Sequence, residues 1–200
     1  MNAIIKVHPL LEECKLRNNP VVIRVNKFDE EHAAKFCASL SQAQNSGQPI
    51  IPVVIDSYGG QVYSLIAMID AIKSSSIPVA TIVEGKAMSC GAILMSFGTP
   101  GYRFIGPNAT VMIHEVANGT GGKIEEIKAD VAEAERLNKW AFEQLDRNAG
   151  KTPGYFQNLV HEKNHADWYM NADEVIAHGL VEHKRLPSFH VTVAVNFELK

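Results

Sequence analysis

The sequence predicts an α/β layered fold with parallel strand pairing. Short β-branched apolar runs recur along the chain, and between them lie stretches whose apolar residues return every three or four positions. Strand and helix in alternation is the pattern of βαβ units, whose crossovers lay helices over a parallel sheet. At 200 residues, 46% hydrophobic and 20% charged, the chain has the balance of a globular protein and can bury roughly 70% of the surface it exposes unfolded. Residues 1–200 read as one domain.

The elements follow in order. Val21–Val25 is short and β-branched, a strand. Asp29–Gln44 is a helix, with Asp29 as its N-cap and Ala33, Phe36, Cys37 and Leu40 on one face. Asn45-Ser46-Gly47 ends it. Pro49–Asp56 is a buried strand, and a Gly-Gly turn leads into an apolar helix from about Val62 to Lys73. Ser74-Ser75-Ser76 links to the strand Ile77–Val83. Ser89–Phe97 reads as a second buried helix and Ala109–Val116 as another strand. In Ile124–Arg147 the residues Ile124, Ile127, Val131, Ala134, Leu137, Ala141 and Leu145 recur at helical steps. That helix would be ~36 Å long, more than a compact domain of this size needs. The tail Val191–Leu199 alternates, with Val191, Val193, Val195, Phe197 and Leu199 on one side, and predicts an amphipathic strand over about 190–199.

Charge and composition exclude several classes of function. The net charge of −3 supplies no attraction to nucleic acid or to an anionic membrane. The longest mostly apolar stretch, Ala87–Gly98, falls well short of the ~20 residues that span a bilayer, and it carries Ser89, Cys90 and Ser96. The first residues, MNAIIKVHPLLEECK, lack the features of a signal peptide. Cys14, Cys37 and Cys90 are odd in number and have no metal-like spacing, which suits a reducing compartment and predicts a cytoplasmic protein.

Four segments can carry chemistry, and each has a plainer reading. Asp56-Ser57-Tyr58-Gly59-Gly60 follows a strand, and its two glycines permit close approach of a ligand; alone, they make a turn. In GKAMSCGA, Ser89 stands at a helix start among small residues. A nucleophile is placed in this way, where the first N–H groups stabilise an oxyanion; so is an ordinary N-cap. The flanking residues are not those of the G-x-S-x-G elbow. His114 closes the apolar run Val111-Met112-Ile113, where a histidine is most often structural. Glu162, Asp167, Asp173 and Glu174 are the candidate carboxylates of the fourth segment, and solvated surface is the alternative for each. Lys86, three residues before Ser89, offers a Ser–Lys dyad, or simply a loop charge.

Together these segments resemble the proteolytic subunits of the Clp protease, the ClpP family, from about Val21 to Val181. GKAMSCGA stands for the nucleophile segment, RFIGPNATVMIHE for the histidine strand and DWYMNADEVIAHGLV for the aspartate segment, in the family's order and spacing. The resemblance implies a ClpP/crotonase-like spiral of βαβ units with a protruding handle over about 117–150. It implies Ser89 as nucleophile, His114 as general base and Asp167 as the group that orients the imidazole. The oxyanion donors would be the backbone N–H groups of Gly60 and Cys90, and Gly59-Gly60 would border the extended substrate. It further implies a serine endopeptidase for unfolded polypeptides, working in a homo-oligomeric chamber of stacked, seven-membered rings, with an AAA+ unfoldase as possible partner and no metal or organic cofactor.

The chain departs from the family pattern in places. Asp56-Ser57-Tyr58-Gly59-Gly60 replaces Asn-Ser-Pro-Gly-Gly, His114-Glu115-Val116 replaces His-Gln-Pro, and the stretch from Gly150 to Asp167 is a few residues longer. The N-terminal segment does not match the family's axial loop, and the Val191–Leu199 strand has no clear counterpart there. Two other readings share the fold. A crotonase-type acyl-CoA enzyme needs none of Ser89, His114 and Asp167, and a silent ring subunit typically loses a triad residue.

Overall fold

The computed structural model describes residues 20–188, so the N-terminal segment and the strand expected over 191–199 lie outside the described residues. β1 (Ile23–Val25), α1 (Glu30–Gln44), β2 (Ile51–Ser57), α2 (Val62–Ser74) and β3 (Val79–Met88) make two successive βαβ units, and the three strands pair in parallel. Asp29 caps α1 as its position predicts, accepting the His32 N–H at 2.9 Å. Ala33, Phe36 and Leu40 of α1 face the core. From Ile51 to Ile55, β2 is buried at every position, which is why its sequence is an unbroken apolar run rather than an alternation.

β3 runs on well past the Val83 at which its apolar sequence stops. The cause is tertiary. Thr81–Val83 pair with β4 (Arg103–Ile105), and Lys86–Met88 pair with β5 (Thr110–Ile113), both in parallel. Between these halves the register against β2 skips: Ile55 faces Val83, but Ser57 faces Ala87. The extra residues of β3 form an irregularity that bends the strand and divides the sheet. β6 (Trp168–Met170) adds antiparallel to β5, with Ile113 opposite Trp168, and β7 (His183–Lys184) adds to β4. The short elements β4 and β7 have no sequence signature and were not expected.

α3 (Cys90–Met95) is buried throughout, in the core between the sheet and the helices. α4 (Ile124–Asn148) has two unlike halves. Leu137, Ala141, Phe142 and Leu145 are buried, whereas Ile124 and Val131 are 72% and 46% exposed. The first half is therefore largely exposed and the second half is packed into the core. The base of α4 is fastened to the domain. Asp146, only 3% exposed, accepts the N–H groups of Gly154 at 2.7 Å and Phe156 at 3.0 Å, and so anchors the start of α5 (Tyr155–Glu162). Arg103 donates to Asn148 O at 2.8 Å and pairs with Glu182. α6 (Ala172–Ala177) opens on a capping box formed by Asn171 and Glu174. Among the described residues no helix is long and apolar enough to cross a membrane.

Candidate active site

Ser89 is set apart by its backbone. It has φ 54° and ψ −119°, a conformation that a non-glycine residue adopts at a cost of about 1–3 kcal/mol. The chain imposes it by turning sharply from β3 into α3. The Ser89 N–H donates to Met112 O at 2.9 Å, tying the turn to β5, and Ser89 O accepts from Ile93 at 3.2 Å. The side chain makes no cap bond to the helix it precedes, so the N-cap reading of this serine is corrected. Ser89 lines a cavity of about 270 Å³, together with Tyr58, Gly60, Cys90, His114 and, from the base of α4, Phe142 and Leu145.

Gly60 of the Gly-Gly turn lines the same cavity, and both glycines are required for steric reasons. At Gly59 (φ 102°) a Cβ would stand 2.8 Å from the Ser89 Cβ, and at Gly60 (φ 150°) one would stand 2.3 Å from Phe28 O. Neither position admits a side chain. Gln61, rather than Gly60, donates to Phe28 O, at 2.7 Å. Gly60 and Cys90, the first residue of α3, both line the cavity. The Cys90 side chain turns inward and donates to Gly60 O at 3.2 Å. Burial pushes its thiol pKa up to about 11, so it is protonated at neutral pH.

His114 follows directly on β5 and Asp167 directly precedes β6. Because Ile113 pairs with Trp168, the two lie opposite each other one step along the ladder. His114 Nδ1 and Asp167 Oδ1 are 3.9 Å apart, within ion-pair range and longer than a hydrogen bond. The His114 side chain is 23% exposed and that of Asp167 52%. The aromatic pair after Asp167 does not shield it from water. Trp168 packs into the core, while Tyr169 is half exposed. The competing carboxylates are engaged elsewhere or lie apart: Asp173 binds Lys184 at 2.7 Å, Glu174 accepts the Asn171 N–H at 2.8 Å, and Glu162 ends α5 in solvent.

Lys86 is paired with another group, Asp56. Its Nζ lies 2.6 Å from Asp56 Oδ1 and 4.4 Å above the Tyr58 ring. Several contributors to the site carry no sequence signal, because they act across the fold. Phe28 O fixes the Gly60 turn, Met112 O fixes Ser89, and Asn138 of α4 accepts the Val116 N–H at 2.9 Å. That last bond ties the chain leaving His114 to the projecting helix. Glu115 accepts hydrogen bonds from His165 at 2.9 Å and His161 at 3.3 Å, and the His165 bond holds its carboxyl below the usual range.

Comparison with known proteins gives concordant matches. The family model described as Clp protease matches residues 13–184. The ATP-dependent Clp protease proteolytic subunits of Streptococcus pyogenes serotype M5 (strain Manfredo) and serotype M49 (strain NZ131) are each similar to this chain at 31% identity over 173 residues. The match covers 84% of this chain and 85% of each of theirs.

Proposed function

This chain belongs to the Clp protease family, a family of serine endopeptidases, and we propose that its peptidase chemistry is carried by a triad of Ser89, His114 and Asp167. The Ser89 hydroxyl attacks the scissile carbonyl carbon while His114 Nε2 takes its proton. The tetrahedral oxyanion accepts hydrogen bonds from the N–H groups of Gly60 and Cys90. His114 then gives the proton to the departing amine, leaving an acyl-enzyme, and water, activated by the same imidazole, releases the acid and restores Ser89. Asp167 faces Nδ1, so it holds the tautomer that leaves Nε2 free for the serine and compensates the imidazolium charge.

The observation that carries this reading is the strained backbone of Ser89 at the head of α3, in one cavity with His114 and Gly60. An ordinary capping serine would have an extended backbone and a bond to the helix. A 3.9 Å separation between His114 and Asp167 is compatible with a resting state that tightens on substrate binding. An unfolded polypeptide would lie extended along the strand edge beside Gly59-Gly60.

As members of the family assemble, so in this reading does this chain. The exposed first half of α4 acts as the handle between stacked homo-oligomeric rings of about seven subunits, and a Clp ATPase of the AAA+ class delivers the polypeptide. Cleavage of fluorogenic peptides and of an unfolded protein by the parent and by Ser89→Ala tests the chemistry. Activity in the parent that is lost in the variant supports the reading, and equal activity in both defeats it.

A further inference from the structure

Glu115, next in the chain after His114, meets two histidines from a different part of the sequence. His161 Nε2 lies 3.3 Å from one carboxylate oxygen and His165 Nδ1 2.9 Å from the other. The imidazole centroids are 4.2 Å apart, and one ligand atom from each of the three side chains falls within 4.8 Å of the others. His161 sits in the last turn of α5. The chain then turns through Asn164 (φ 58°) and His165 (φ 57°), which brings the second histidine back to the same carboxylate.

Two imidazoles and one carboxylate are the donors of borderline cations such as Zn²⁺; Mg²⁺ and Ca²⁺ prefer oxygen alone. A four-coordinate ion with ligands at about 2.1 Å separates its ligand atoms by about 3.4 Å, so the observed spacing needs only small side-chain adjustments. All three groups are partly open to solvent, which leaves access for the ion and room for a water ligand. We propose that Glu115, His161 and His165 form a binding site for a divalent transition-metal cation of the Zn²⁺ class.

The site joins the two segments that flank the β5–β6 ladder end. Glu115 follows His114, and His165 comes two residues before Asp167. An ion held there pins the chain entering Asp167 to the chain leaving His114, and stiffens the pairing of those two residues. This consequence rests on the triad reading; the ion site does not.

The test uses full-length protein without a histidine tag, stripped with a chelator and titrated with Zn²⁺, Co²⁺ and Mg²⁺ against a chromophoric competitor. One Zn²⁺ or Co²⁺ per chain is expected, with visible Co²⁺ absorption, a thermal midpoint raised by Zn²⁺ and no response to Mg²⁺. His161→Asn and His165→Asn should each weaken Zn²⁺ binding at least ~10-fold and abolish the thermal shift. A parent that binds neither Zn²⁺ nor Co²⁺, or variants that bind as the parent does, overturns the site. The ratio of peptidase rates with and without Zn²⁺ should exceed one in the parent and return to one in His165→Asn. The same ratio in both proteins overturns the coupling and leaves the ion site standing. Absence of peptidase activity under every condition would count against the triad, with the binding titration untouched.

Discussion

Ser89 and Cys90 are neighbours that the fold places in opposite settings. Ser89 stands on a strained turn that lines a cavity; Cys90 is 1% exposed with its thiol pKa pushed up to about 11. At pH 8 only about 0.1% of such a thiol is thiolate. Iodoacetamide at that pH should leave peptidase activity intact, with Cys90 unmodified by mass spectrometry. Modification should rise only as the pH approaches 11. Rapid inactivation at pH 8 with carbamidomethyl on Cys90 would show that the thiol is accessible and contradict its burial. Asp167→Asn should lower turnover by about 10⁴-fold, because an amide favours the wrong imidazole tautomer. Asp173→Asn removes only a surface contact to Lys184 and should change turnover little. Steady-state rates for the two variants separate the carboxylates, and a larger loss at Asp173 would reverse the assignment.

Among the elements, the ladder end of β5 and β6 and the Gly-Gly turn hold the site. Gly60→Ala would drive a Cβ to 2.3 Å from a backbone oxygen of Phe28. The turn must therefore shift, and peptidase activity should fall sharply while circular dichroism still reports an α/β protein. Asp146→Ala strands the N–H groups of Gly154 and Phe156 at the base of α4, at about 1–3 kcal/mol each. Its thermal midpoint should drop by several degrees, and an unchanged midpoint would show that those groups find other partners.

What the sequence made legible were the elements whose pattern is local. Asp29 with α1, the buried run of β2 and the periodicity of α4 all follow from spacing and burial. β4 and β7, three and two residues long, exist because β3 and β4 offer edges to pair with, and no local pattern announces that. The continuation of β3 beyond Val83 is of the same kind. The plainer reading of Ser89 as an N-cap was not borne out, because a cap is a hydrogen bond and the backbone here takes a different path. The His114–Asp167 juxtaposition depends on the Ile113–Trp168 register, and the Glu115–His161–His165 cluster on the turn after α5. Both are long-range facts.

For the whole molecule, the unburied half of α4 is the feature a single chain does not explain. Ile124 and Val131 face solvent there, an apolar stripe that association would cover. Val116 is bonded to Asn138 of the same helix, so a change in the helix's seating reaches the chain beside His114. Replacing Ile127 and Val131 by aspartate should leave the isolated fold intact, since Val131 is exposed and Ile127 only half-buried. The same change buries unpaired charge in the proposed ring-to-ring contact. Light scattering should show the parent as a large homo-oligomer and the variant as single rings or smaller species with much reduced activity. A parent that is fully active as a 22.0 kDa monomer would remove the assembly from the account. The central claim, that Ser89 is the nucleophile of this Clp protease family member, is tested most directly by labelling the assembled protein with a fluorophosphonate and mapping the adduct by tandem mass spectrometry. One adduct per active subunit, on Ser89, with loss of activity in step with labelling, is the predicted result. Labelling confined to another residue, or full labelling of Ser89 with activity retained, would contradict it.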